Sequence, residues 1–139
     1  MTLALAHETL YRVPFCDTDA IGIVYYANYL KYFEIGRAEL FRAIGHPFPA
    51  YIARGQYLIV VDAYAKYHRP ARYDEVLAVR AGFDKVGRAT LRIVYEVARK
   101  EDGERLAEGF TSHAVVDDAG RPSRLPEDLV ATIRARRGG

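Results

Sequence analysis

The chain predicts a two-layer α+β domain, with one long helix laid on a curved, five-stranded antiparallel sheet and a short helix closing the C-terminal end. Three observations carry that expectation. Residues 27–44 repeat apolar side chains at spacings of three and four, the period of a helix with one buried face. Four later stretches alternate at period two and are separated by Gly- and Asp-containing turns. The 139 residues, 50% of them hydrophobic, suffice for one core and form a single domain over residues 1–139.

The first strand is expected at about Glu8–Phe15, followed by a polar corner from Cys16 to Tyr26. The long helix then runs from about Ala27 to Ile44, with Asn28 as its N-cap and Gly45 and Pro47 ending it. Tyr29, Phe33, Gly36, Leu40 and Ile44 share its apolar face, and Leu30 and Phe41 widen that face. Gly36 inside the stripe costs roughly 1 kcal/mol relative to Ala, which marks a close approach to the sheet. A loop through Pro47, Pro49 and Gly55 leads to four strands in meander order: Tyr57–Arg69, Glu75–Phe83, Arg88–Arg99 and Leu106–Val116. Pro70 stops the first of these, and Gly109 marks a bulge or a tight contact in the last. Turns fall at 84–87, 101–104 and 117–120. The closing helix spans Pro126 to about Arg136, with Pro126 at its first position and a frayed, Arg-rich tail behind it.

Composition excludes several classes. A formal net charge of +2, from 20 Lys+Arg against 18 Asp+Glu, is too even for a dedicated nucleic-acid binder. It still allows a local cationic cluster for a phosphorylated small molecule. Cys16 is the only cysteine, so no internal disulfide can form and a cytoplasmic setting is expected. Its neighbours supply no His base, and it reads as a small buried hydrophobe. The start of the chain lacks the charged opening of a signal peptide, and no membrane span is expected. Asn28 and Gln56 are also the only residues of their kinds, which with 27% charged residues fits a thermophilic source or a GC-rich genome. His7, His46, His68 and His113 lack ligand spacing, so no metal site is expected, and His113 reads as a half-buried strand residue.

The corner Asp17-Thr18-Asp19-Ala20-Ile21-Gly22 carries the chemistry. It sets two carboxylates between a strand and a helix start, where unpaired backbone N–H groups favour negative charge. A carboxylate beside such an oxyanion site suits acyl transfer, and the same residues equally fit an ordinary turn with an Asx bond. Asp-x-Asp after an apolar run also occurs in haloacid-dehalogenase-like phosphatases. Those need a parallel sheet and further motifs that consecutive antiparallel strands do not offer.

The run from Tyr11 to Gly45 resembles the signature region of hotdog-fold acyl-CoA thioesterases of the 4-hydroxybenzoyl-CoA type, most of all the Tol–Pal-associated branch. The resemblance rests on Phe15-Cys16-Asp17-Thr18-Asp19, on Gly22-Ile23-Val24-Tyr25-Tyr26-Ala27-Asn28-Tyr29, and on Tyr32-Phe33-Glu34 with Arg37 and Glu39. Tyr67-His68-Arg69-Pro70-Ala71, Tyr73-Asp74-Glu75, Gly120-Arg121-Pro122 and Leu125-Pro126 extend it along nearly the whole chain. It implies a hotdog fold, no cofactor, and Asp19 as the catalytic carboxylate, either nucleophile or general base. Asp17 would be structural, and the backbone N–H near Tyr26 would polarise the thioester. Many members of the Tol–Pal-associated branch carry His where this chain has Tyr26, whereas the 4-hydroxybenzoyl-CoA enzyme has Tyr there. Another branch places a catalytic Glu on the helix. Here Glu34 and Glu39 read instead as i,i+3 partners of Arg37 and Arg42.

The resemblance further implies Lys85 and Arg88, then Arg69, as cations for the CoA phosphates, and a homodimer or homotetramer with sites at the dimer interface. Two rivals share the fold: a dehydratase, which would need a His near the carboxylate, and an acyl-CoA-sensing domain, which would keep the pocket without Asp19. The acyl group itself is not legible.

Overall fold

The computed structural model describes residues 6–137, with the backbone alone described at Arg137. The first five residues and the last two of the expected tail lie outside these. Strand β1 (Ala6–Arg12) opens the fold, and a single 3-10 turn, Phe15–Asp17, follows. Helix α1 (Asn28–Ala43) is the long helix, and α2 (Phe48–Ile52) is a five-residue helix where a loop was expected. Strands β2 (Tyr57–Tyr67), β3 (Val76–Val86), β4 (Thr90–Arg99) and β5 (Arg105–Val116) make the body of the sheet. A two-residue strand β6 (Pro122–Ser123) pairs with the end of β5, and α3 (Glu127–Arg137) closes the chain.

The strand order is β1-β3-β4-β5-β2, all antiparallel, with α1 laid along one face. This is the hotdog arrangement. Only β3, β4 and β5 form a meander, so the expected four-strand meander is corrected. The segment after β2 is not a tight hairpin: residues 68–75 cross the end of the sheet, and β2 becomes the far edge against β5. A period-two pattern reports which residues alternate. It does not report which neighbour a strand chooses.

The register of β2 also departs from simple alternation. Leu58 and Ala65 both pack on the core although seven residues separate them, because a bulge between Val60 and Asp62 shifts the phase by one. A second bulge, between Phe83 and Lys85, carries β3 on to Val86. The hairpin turn therefore comes after Val86, with Gly87 N–H donating to Thr90 O, and Lys85 is a strand residue opposite Arg92.

The buried face of α1 comprises Tyr29, Tyr32, Phe33, Gly36, Leu40 and Phe41, while Leu30 stays exposed. Asn28 is the first helical residue, not the cap. Ala27, whose methyl side chain cannot cap, occupies that place with helical backbone angles, and the Asn28 amide donates to Asp17 O instead. Pro126 lies one residue ahead of α3. Gly45, with φ of +84°, ends α1 in the left-handed conformation as expected.

Gly36 meets the sheet as its place in the stripe implied: a Cβ there would lie 2.8 Å from Val79 Cγ1. Phe33, three residues earlier on the same face, stacks on Tyr95 with centroids 4.4 Å apart. Its ring edge fills the space above Gly109, where a Cβ would come within 2.8 Å of Phe33 and 2.1 Å of Tyr64 O. Gly109 is thus a tight contact, and the helix seats over β3, β4 and β5 because two glycines let it.

Gly109→Ala is expected to destabilise the protein by about 2–3 kcal/mol, since neither the β2 backbone nor the stacked Phe33 can yield freely. The urea midpoint should fall at an unchanged slope. An unaltered midpoint would show that the sheet relaxes at no cost.

Candidate active site

The corner between β1 and α1 is built around a buried carboxylate. Asp17 is 2% exposed, and its Oδ2 accepts the hydroxyls of Tyr11 and Tyr32, both at 2.9 Å. Lys31 Nζ donates to Oδ1 at 2.6 Å. Burial alone would raise the Asp17 pKa, but the bonds from Lys31, Tyr32 and Tyr11 together outweigh it and hold the carboxyl below its ordinary value. The same carboxylate acts in reverse on the phenol of Tyr32, which burial and Asp17 push well up. The Asp17 backbone carbonyl is used twice more, accepting Tyr25 N–H and Asn28 Nδ2, both at 2.9 Å. Asp17 is therefore structural: its side chain ties β1 to α1, with a weak further bond from Cys16 Sγ at 3.8 Å within its own turn.

Asp19 is treated differently by the fold. Thr18 and Val24 form an antiparallel bridge, and Gly22 N–H donates to Asp19 O at 3.0 Å, closing a tight turn that Gly22 completes with φ of +89°. Asp19 Oδ1 accepts Ile21 N–H at 2.9 Å, the Asx bond that such a turn invites. Its Oδ2 accepts no hydrogen bond among the described residues, and the residue is partly buried. An Asx turn and a reactive carboxylate are compatible here, because the turn takes one oxygen and leaves the other.

The start of α1 supplies the complementary charge. The N–H groups of Tyr26 and Ala27 meet no acceptor among the described residues. Unaccepted donors at a helix start hold a partial positive charge. Tyr67 OH donates to Tyr26 O at 3.1 Å and fixes this turn against the end of β2. The Tyr25 phenol is pushed up first by the neighbouring Tyr26 hydroxyl and, more weakly, by the Asp19 carboxylate, so Asp19 and the helix start share one electrostatic neighbourhood.

The crossover from β2 to β3 makes the floor. Val24 N–H donates to Ala71 O at 2.8 Å, Ile23 bridges Arg72, and Tyr29 OH accepts Ala71 N–H. Around this floor Phe15, Ile21, Tyr26 and Tyr73 are all more than half exposed. Cys16 is exposed as well, which corrects its reading as a buried hydrophobe.

Arg69 lies at this end of the sheet, paired with Glu104 at 3.4 Å. Lys85 and Arg88 do not. They sit at the opposite end of β3, about ten residues and roughly 30 Å from Val76, the residue paired with Arg12 at the corner. Within one chain they cannot reach Asp19 together with a substrate's carbonyl. Glu34 and Glu39 make the expected ion pairs, Glu34 with Arg37 at 4.0 Å and Glu39 with Arg42. His113 is fully buried, not half-buried. Burial, then the Arg37 charge, lowers its pKa to about 4, so it is neutral. Lys31, Tyr11 and Tyr32 were missed as partners of Asp17. The available signal was the i,i+1 pair Lys31-Tyr32 on the helix face turned toward β1, which only the three-dimensional pairing gives meaning.

Residues 13–133 match the Thioesterase-like superfamily. The chain is 28% identical over 133 residues to the acyl-CoA thioester hydrolase YbgC of Escherichia coli, covering 92% of this chain and 98% of that protein. It is 28% identical over 127 residues to the 1,4-dihydroxy-2-naphthoyl-CoA hydrolase of Nostoc punctiforme, covering 90% and 84%. The crystal structure of a hypothetical protein from Thermus thermophilus is similar at a TM-score of 0.87 and 32% identity, covering 94% of this chain and 96% of that one. Among the described residues no helix is long and apolar enough to cross a membrane.

The two aspartates should separate cleanly in stability. Asp17→Asn is expected to cost about 3 kcal/mol, because it leaves Lys31 and two phenols facing a neutral amide. Asp19→Asn should stay within about 0.5 kcal/mol of the parent. The Asp17 pKa is depressed in the folded state, so its contribution is complete above the unfolded value near 3.9 and is lost as pH falls through the folded value. Urea midpoints measured from pH 6 down to pH 2 should fall below about pH 4, and Asp17→Asn should flatten that fall. Equal destabilisation by the two substitutions would defeat the division of roles.

Proposed function

Because the chain belongs to the thioesterase-like superfamily, we propose that it hydrolyses CoA thioesters to a free acid and CoA, with Asp19 as the reacting carboxylate. The observation that carries this reading is a free Asp19 Oδ2 at the corner where the Tyr26 and Ala27 N–H groups lack acceptors. The thioester oxygen rests on the Tyr26 N–H, which stabilises the charge that develops there as the carbonyl carbon becomes tetrahedral. Asp19 either attacks that carbon and expels the CoA thiolate, leaving a mixed anhydride for water to open, or takes a proton from the attacking water. Both routes need one ionised oxygen that no protein donor occupies. The similarity to the hydrolases of Escherichia coli and Nostoc punctiforme supports CoA thioesters as the substrate class.

The active form in this reading is a dimer joined through β2. Among the described residues that strand pairs only with β5, leaving its outer edge without a strand, and Val60, Val61 and Tyr64 along it are about half exposed. An unpaired, apolar, 11-residue edge is a template for a second copy of itself. Antiparallel pairing about a two-fold axis turns one chain's Lys85 and Arg88 to the same end as the partner's Asp19 corner. The CoA phosphates would then meet cations from the other subunit. A tetramer would pair two such dimers.

Asp19→Asn keeps the shape and the Asx bond but removes the charge, so turnover should fall by roughly 10²-fold or more in folded protein. A thiol-detecting assay on a panel of acyl-CoAs reads it, and near-normal turnover would end the assignment. Replacing Lys85 and Arg88 together by Ala should raise KM for acyl-CoA more than it lowers turnover, and less so at high salt. An acyl-pantetheine thioester, which lacks the nucleotide, should be indifferent to the change. The same KM loss on both substrates would place these cations elsewhere.

A further inference from the structure

Tyr26 and Ala27 are the two inner residues of a turn closed by Asn28 N–H, which donates to Tyr25 O at 2.9 Å, and the turn runs straight into α1. Ala27 already has helical backbone angles, φ −65° and ψ −22°. Successive N–H groups in that conformation point the same way along the helix axis, so the two donors of the corner share one direction. A single peptide unit joins them: its N–H belongs to Ala27 and its carbonyl to Tyr26. The N–H meets no acceptor among the described residues, whereas the carbonyl accepts twice, from Tyr29 N–H at 3.2 Å and from the Tyr67 hydroxyl at 3.1 Å. A donor on an amide oxygen draws electron density through the amide and leaves the N–H of the same unit more positive.

The Tyr67 hydroxyl reaches this carbonyl from outside the helix, and its direction is fixed. Tyr67 ends β2, and the N–H groups of the next two residues, His68 and Arg69, both donate to Leu106 O, at 2.8 and 3.2 Å. Its half-exposed ring meets the buried ring of Tyr29 edge to face, with centroids 5.1 Å apart, and the ring of Tyr26 at 6.3 Å. Tyr29 is itself held by Ala71 N–H. Burial, then the neighbouring Tyr26, pushes the Tyr67 phenol up, so it keeps its proton and donates throughout the neutral range. The rings would pack as well with Phe at this position; only the hydroxyl needs Tyr.

We infer that Tyr67 is a positioning residue of the proposed active site: by holding and polarising the Tyr26–Ala27 peptide unit it makes the Ala27 N–H a second oxyanion donor beside the Tyr26 N–H. Tyr67 touches no reacting atom and acts through one amide. Its effect is felt when negative charge develops on the thioester oxygen, so it raises turnover and leaves ground-state binding of the CoA thioester nearly unchanged. The inference rests on the thioesterase reading and adds the residue that sets the strength of the oxyanion site.

Tyr67→Phe keeps the ring and removes the donor. Its kcat should fall about tenfold, less than the roughly 10²–10³ that loss of a direct oxyanion donor costs, with KM within about twofold of the parent. Fluorotyrosines placed at position 67 keep the shape and strengthen the donor as fluorine is added. At a pH low enough to keep each phenol protonated, kcat should rise with phenol acidity, by about twofold across the series. A residue that only packs would give the Phe and fluorinated variants wild-type kcat, and that result overturns the inference. The Ala27 amide proton, followed by NMR in protein labelled with nitrogen-15 alanine, supplies a readout that needs no turnover. It should move downfield across the fluorinated series and upfield in Tyr67→Phe. An Ala27 resonance that ignores the phenol would overturn the inference even if kcat fell. Wild-type protein without turnover on any acyl-CoA would overturn the thioesterase reading and the catalytic role together, while the Ala27 shift would still decide whether Tyr67 polarises that peptide.

Discussion

The Asp17 carboxylate is the constraint on which the corner depends. Taking one ionised carboxyl out of water costs several kcal/mol unless donors replace the water. Three donors do so, Tyr11 from β1 and Lys31 and Tyr32 from α1. The backbone carbonyl of the same residue holds Tyr25 and Asn28 at the helix start. One residue thereby fixes the angle between the first strand and the long helix, and with it the direction in which the first helical N–H groups point. The Asn28 amide is spent on the Asp17 carbonyl, and the N–H groups of Tyr26 and Ala27 just ahead of it have no acceptor among the described residues.

The contrast between the two aspartates follows from burial and partners. Asp17 is saturated with donors, so it is a poor nucleophile and a poor base, and its charge is spent on holding the corner. Asp19 is tied by one oxygen to a tight turn and presents the other to solvent. A reactive carboxylate needs this combination of fixed direction and an unoccupied lone pair. Two residues apart in sequence, they differ in burial because the 3-10 turn ends on Asp17 in the core, whereas Asp19 opens the tight turn closed by the Thr18–Val24 bridge.

How much of this was legible in the sequence depends on the range of the interaction. The long helix, its glycine contact at Gly36, its end at Gly45 and the alternating strands are local patterns, and their places agree with the structure. The Asx turn at Asp19 is equally local. The position of β2 was not legible, because strand pairing is settled by a crossover and by which edge is left to cover. Nor was the phase change in β2, since a bulge is one residue added to a ladder whose partner is unknown from sequence. Lys85 illustrates the consequence. Read as a turn residue it seemed free to reach the site, whereas a bulge near Asp84 places it in the strand and far from Asp19.

In the proposed hydrolase, the geometry of the sheet accounts for the need of a second subunit. Glycine contacts let α1 sit close on the sheet, while the outer edge of β2 carries no strand among the described residues. The helix start must remain open for its N–H groups to act, and an open helix start beside an open sheet edge cannot exclude water by itself. Water competes for those donors and lowers the local electrostatic advantage of a fixed dipole. The open corner that leaves those N–H groups without acceptors therefore calls, in the proposed hydrolase, for a second wall. A strand edge rich in exposed Val and Tyr is the surface on which that wall can be built without any residue leaving the place the fold assigns it.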